Sequence, residues 1–178
     1  CAVAQMPRVV ITGLGVVAPN GAGKEAFWDG LQQGRSGIRH ITLFDTSKFP
    51  CHIGGEIDDF QPASYIKQQD VKRLSRVSQF AVAAAQMALH DSALQMTAEN
   101  AHLTGVCFGT SAGKGEIFET DHLAFRERGT RGIHPLSFVE FLPHGVSSHV
   151  AIELGTSGIS GSVASGCTSG LDAVYWGY

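Results

Sequence analysis

The stretch VASGCTSGLDAVYWGY, residues 163–178, sets one cysteine between glycine and serine turn residues and a helix-like apolar run. Gly166 and Gly170 flank Cys167, and behind it Cys167, Leu171, Val174, Tyr175 and Tyr178 fall on one helical face. Just upstream, GISGSVASG (158–166) reads as a strand. The pattern therefore predicts a strand, a glycine turn and a helix, with Cys167 opening the helix. There a cysteine meets unpaired N–H groups and the positive end of the helix dipole, which favour the thiolate. The thiolate is the attacking form, and the backbone N–H of Cys167 is placed to receive a developing oxyanion. Spacing alone leaves a second reading open, a buried structural cysteine, which is the commonest fate of a free thiol.

Working outward, the chain alternates strand-like and helix-like segments. RVVITGLGVV (8–17) is a β-branched run that predicts a buried strand, and KEAFWDGLQQG (24–34) predicts a short helix closed by Gly34. Residues 35–63 read as a loop-rich excursion. From Asp70 to about Ser92, Val71, Leu74, Val77, Phe80, Ala81, Ala84 and Ala88 recur at helical steps, which predicts one long amphipathic helix. Its AVAAAQMAL segment carries the small side chains that permit close packing. LTGVCFGTSAG (103–113) reads as a second strand running into a glycine loop, 114–129 as helix, and 135–155 as a loop followed by a mostly apolar helix. Such alternation predicts a single α/β unit with a mainly parallel sheet and helices on its faces.

Bulk properties narrow the function classes. With 43% hydrophobic and 16% charged residues among 178, the chain has the composition of a folded protein with a core. The formal net charge is −3 without a basic block, which argues against nucleic acid as a partner. The sequence has no run of eighteen apolar residues and no signal-peptide pattern, so no membrane association is expected. Residues 1–7 are expected to be an N-terminal extension, with Met6 as a candidate native start. Cys1, Cys51, Cys107 and Cys167 are irregularly spaced and form no CxxC pair. They read as free thiols of a reducing, cytoplasmic protein, and the eight scattered histidines give no metal-ligand spacing.

Two further glycine segments mimic known sites. GLGVVAPNG (13–21) starts like a dinucleotide fingerprint, but Pro19, Asn20 and Gly21 intervene where a helix N-terminus would have to face the pyrophosphate. GTSAG (109–113) matches the nucleophile elbow of serine hydrolases and would make Ser111 a nucleophile, although no clear acid and histidine follow it.

Taken together, VVITGLGVVAPNG, FWDGLQQGRSGI, RLSRVSQFAVAAAQMAL, GVCFGTSAG, HVAIELG and SGCTSGLDAV resemble, in order and spacing, the N-terminal half of the β-ketoacyl-acyl-carrier-protein synthases. GCTSGLDAV looks more like the ketosynthase alpha subunits of type II aromatic polyketide systems than the fatty-acid enzymes. The resemblance implies a thiolase-like layered αβαβα fold, of which residues 8–178 would be the N-terminal half, stopping in the helix after the nucleophile. It implies a decarboxylative Claisen condensation through a thioester on Cys167, with substrates carried on the phosphopantetheine of an acyl carrier protein and no bound cofactor or metal. Ala112 would sit at the family's acyl-channel gate, and Phe138 and Phe141 would line the pocket or the dimer interface, with core packing as the alternative reading of both. The two catalytic histidines, a lysine and a second oxyanion donor belong to the family's C-terminal half, so this chain alone is expected to be inactive. A chain-length-factor heterodimer or a homodimer is the implied assembly, formed through residues 158–164. The alternatives are a hydrolase built on Ser111 and a non-catalytic assembly module.

Overall fold

A computed structural model describes residues 8–112 and 115–178. The expected extension at residues 1–7, Cys1, and the last residue of GTSAG, Gly113, lie outside the described residues.

The described residues begin with a segment, 8–16, that forms no helix or strand, and Ile11 is 80% exposed. This corrects the expected buried strand. The β-branched residues have strand propensity, but among the described residues no neighbour offers them a hydrogen-bonding ladder. What the segment does instead is lie along a helix, as shown below. It leads into a two-residue hairpin, β1 (Val17–Ala18) and β2 (Gly21–Ala22), turning at Pro19 and Asn20. Helix α1 (Lys24–Gln32) starts only after this hairpin, so no helix terminus stands behind Gly13 and Gly15. Gly34 closes α1 as expected: at φ +63 it lets its own N–H reach Leu31 O (3.1 Å) and that of Arg35 reach Gly30 O (2.8 Å).

The excursion at 35–63 is more ordered than its sequence suggests. Strands β3 (Ile38–His40) and β4 (Ile53–Gly55) pair antiparallel. The nearly buried Glu56 carboxylate holds the following bend, accepting hydrogen bonds from Thr42 N, Thr42 Oγ1 and Leu43 N at 3.0 Å each. These donors, with the Leu43 and Thr42 N–H groups foremost, hold its carboxyl below the usual glutamate range.

The long helix expected from Asp70 to Ser92 is two helices. Helix α2 (Gln68–Val71) ends, and α3 (Arg76–Asp91) starts afresh with Ser75 as an extended N-cap whose side chain accepts from Ser78 N. Two tertiary contacts stabilise the break. Gln79 Nε2 donates to the freed carbonyls of Val71 and Leu74, both at 3.0 Å, and Ser75 N donates to the buried Glu140 carboxylate at 3.2 Å.

The second half follows the expectation closely. Strand β5 (Val106–Gly109) is followed by α4 (Gly115–Arg128), α5 (Ser137–Phe141) and α6 (His144–Leu154), the last closed by Gly155 at φ +70. Strand β6 (Ser160–Val163) pairs parallel with β5, and α7 (Ser169–Gly177) ends the chain. The described strands thus form three separate two-stranded sheets, one parallel and two small antiparallel ones. Helices α6 and α7 pack on the parallel pair, α3 packs on α6, and the buried core contains Ile66, Leu74, Val82 and Val150. No helix among the described residues is long and apolar enough to cross a membrane.

Candidate active site

Cys167 stands where the strand-to-helix pattern puts it. Strand β6 ends at Val163, and Gly166 turns the chain at φ +77, a conformation that strains any residue with a Cβ. A single 3₁₀ turn, Gly166–Thr168, holds Cys167 and runs directly into α7. The one refinement is that Cys167 lies in this turn, just before the α-helix. Its thiol is free and exposed among the described residues.

The hydroxyls on either side of Cys167 share one acceptor. Ser165 Oγ and Thr168 Oγ1 both meet Asp172 Oδ2, the second at 3.2 Å, from the first turn of α7. Ser169 Oγ donates back to Gly166 O at 2.7 Å. The sequence reading missed this role of Asp172. The four-residue step from Thr168 to Asp172 is a signal that could have suggested it, but the Ser165 contact depends on the shape of the turn.

The structure also brings the two glycine loops side by side. Thr110 N donates to Val163 O at 3.0 Å, continuing the parallel ladder to the edge of the cysteine turn. A Cβ on Gly109 would lie 2.0 Å from Ser169 O, so the glycine lets β5 touch the start of α7. Gly109 is therefore explained by packing beside Cys167. Ser111 is exposed, and no histidine or carboxylate hydrogen-bonds it among the described residues. Gly13 and Gly15 are explained similarly: added Cβ atoms would meet Ala88 O at 2.2 Å and Ala84 O at 1.8 Å. The small residues of α3 and these two glycines permit one backbone-to-backbone contact, which accounts for the fingerprint-like spacing without a nucleotide.

Ala112 is exposed in the loop after Gly109, on the strand end that faces the cysteine turn. Phe138 is 72% exposed on α5, whereas Phe141 of the same helix packs against Phe118 with ring centroids 5.9 Å apart. His149 is paired with Glu140 below α3. No group of three potential metal ligands occurs among the described residues. A cavity of about 520 Å³ is lined by Lys24, Tyr65 and Asp91 among others, and by no residue of the cysteine turn.

A profile described as "Beta-ketoacyl synthase, N-terminal domain" matches residues 6–177. The chain belongs to the β-ketoacyl synthase family. It is 40% identical over 176 residues to the tetracenomycin polyketide synthase ketoacyl synthase alpha subunit of Streptomyces glaucescens, covering 96% of this chain and 41% of that protein. It is 34% identical over 167 residues to 3-oxoacyl-[acyl-carrier-protein] synthase 2 of a Synechocystis strain, covering 94% of this chain and 40% of the relative. Among solved structures, the ishigamide ketosynthase/chain length factor superposes with a TM-score of 0.77 at 28% identity, over 94% of this chain and 44% of that one. The chain is thus similar both to synthases of fatty-acid type and to polyketide alpha subunits, and it spans about two-fifths of the length of these curated relatives. The expected thiolase-like α/β fold is that of this β-ketoacyl synthase domain.

Proposed function

We propose that the polypeptide containing this domain is a carrier-protein-dependent ketosynthase whose acyl-accepting nucleophile is Cys167. The observation that carries the reading is an exposed cysteine at a left-handed glycine turn into α7, within the segment matched by the family profile. Cys167 Sγ attacks the thioester carbonyl of an acyl chain on the phosphopantetheine arm of an acyl carrier protein. The new C–S bond forms as the pantetheine C–S bond breaks, and the pantetheine sulfur leaves as a thiol after taking a proton. A malonyl group on a second carrier protein then loses CO₂. The electron pair left on its α-carbon attacks the Cys167 thioester, forming the C–C bond and releasing the Cys167 sulfur. The N–H at Cys167 serves the developing oxyanion. Ala112 gates the acyl channel, and Phe138 contributes to its wall.

Residues 8–178 form the N-terminal half-domain in this reading, and a C-terminal half supplies the histidines, the lysine and the second oxyanion donor. Its support is the two-fifths span of the relatives and the exposed apolar face of α7. The domain alone is inactive. Either a chain-length-factor subunit or a second copy completes the assembly, and the ketosynthase/chain length factor likeness favours the first. The described cysteines are free thiols, which fits a cytoplasmic site of action.

Intact mass spectrometry of the naturally produced polypeptide, incubated with acyl-carrier protein, tests this. The expected result is an acyl adduct on the peptide containing Cys167, absent from Cys167→Ala and blocked in Ala112→Phe. An adduct on Ser111, or labelling of Ser111 by a fluorophosphonate with Cys167 untouched by iodoacetamide, would overturn it.

A further inference from the structure

We infer that Asp172 is a positioning residue for Cys167, an inference that rests on the nucleophile reading above. The turn that presents the thiol has one flexible point, Gly166 at φ +77, and its two hydroxyl-bearing residues bracket the cysteine at 165 and 168. Left to itself, a glycine turn of this kind samples several orientations, and each reorientation swings both the Cys167 thiol and its N–H.

The Asp172 carboxylate removes that freedom. Ser165 Oγ donates to Oδ2 from the strand side of the turn, and Thr168 Oγ1 lies 3.2 Å from the same oxygen on the helix side. Thr168 Oγ1 is also 3.3 Å from Ser165 O and 3.5 Å from Ser165 Oγ, so the clamp closes on itself around residues 166 and 167. Hydrogen bonds to a charged acceptor are roughly twice as strong as neutral ones. The carboxylate itself stands on α7, whose first residue Ser169 is buried against β5. The chain of support therefore runs from the parallel sheet through α7 and Asp172 to both flanks of the nucleophile. Acyl transfer depends on holding thiol and oxyanion donor in one geometry, and a misplacement of about 1 Å is enough to cost up to 100-fold in rate.

The consequence is a defect in rate and not in carrier-protein recognition. Single-turnover acylation of Cys167 by acyl-carrier protein, followed by intact mass in the naturally produced polypeptide, separates the two. Asp172→Ala is expected to lower the limiting rate about tenfold or more while leaving the half-saturating carrier-protein concentration unchanged. Asp172→Asn keeps an acceptor oxygen and should recover most of that rate. Ser165→Ala with Thr168→Val, which leaves α7 and its carboxylate intact, should reproduce the loss even if Asp172→Ala fails to fold. Adding Asp172→Asn to that pair should cost nothing further. Wild-type limiting rates in Asp172→Ala or in the Ser165/Thr168 pair would overturn the clamp, and so would an Asp172→Asn rate no better than Asp172→Ala. A wild-type protein that never acylates Cys167 would instead overturn the nucleophile reading, and the clamp with it.

Discussion

Helices α3 and α7 carry similar signals in the sequence, an apolar helical face each, yet they end in opposite surroundings. On α3, Val82 is 0% exposed, and the helix packs against both α6 and the 8–16 segment. On α7 the residue buried against the sheet is Ser169, while Leu171 and Tyr175 are each 76% exposed. An apolar face thus predicts that a helix needs a neighbour, and only the fold decides whether this chain supplies one. The α3 side is a finished core. The α7 side meets the sheet closely where Gly109 lies against Ser169, while Leu171, Val174, Tyr175 and Trp176 stay exposed.

The strongest way to break that comparison is to spoil the backbone contact under α7. Gly109→Ala places a Cβ 2.0 Å from Ser169 O, and the expected cost is about 3 kcal/mol, read as a drop in the urea midpoint. Gly161→Ala on the neighbouring strand, where a Cβ meets nothing within 4 Å, should stay within about 0.5 kcal/mol. The same Gly109→Ala change should leave α3 helicity intact, because α3 does not rest on that contact. On the finished side, Val82→Ala removes buried methyl groups from a fully enclosed site and should cost about 2 kcal/mol, checked by the same titration. Ser75→Ala removes the α3 cap and should cost about 1 kcal/mol.

A smaller effect belongs to the link between the 8–16 segment and α3. Asp91 accepts from Lys24 Nζ and from Leu14 N, the latter at 3.0 Å. The Lys24 hydrogen bond foremost holds the Asp91 carboxyl below the usual range, and Asp91 raises Lys24 above its own. A lowered carboxyl stabilises the fold above the ordinary aspartate range, and that contribution is lost as acid takes the pH down through the lowered value. A raised amine stabilises it below the ordinary lysine range, and that contribution is lost as alkali takes the pH up through the raised value. The melting temperature of the wild type should therefore fall at both extremes. Asp91→Asn should flatten both limbs and meet the wild-type curve in strong acid.

How far the sequence foretold these surroundings depended on how local each cause was. The Gly34 cap, β5, α4, β6 and the cysteine turn follow from patterns a few residues long, and the structure contains them all. The break before α3 was not legible, because Ser75 is held by Glu140, 65 residues away. The 38–55 hairpin owes its bend to one carboxylate, Glu56, that composition cannot single out. The cysteine turn was readable as a candidate site. Asp172 was readable only through its four-residue step from Thr168, since Ser165 reaches it only once Gly166 has turned the chain. Ala112 and Phe138 entered through family resemblance, and their exposed positions leave their roles to the loading experiment.

The smallest expected effect is also the one that sharpens the comparison most. Leu171→Ala in this domain alone should change stability by no more than about 0.5 kcal/mol, because the side chain is 76% exposed and has little packing to lose. In the full polypeptide the same change should cost about 2 kcal/mol or more, because the proposed C-terminal half would then enclose the α7 face. The two urea titrations differ only in what lies beyond residue 178. A cost that stays small in both would mean that the α7 face is never covered, and the half-domain reading would fall. A cost that is already large in the domain alone would mean that α7 packs within this chain, and the contrast with α3 would disappear.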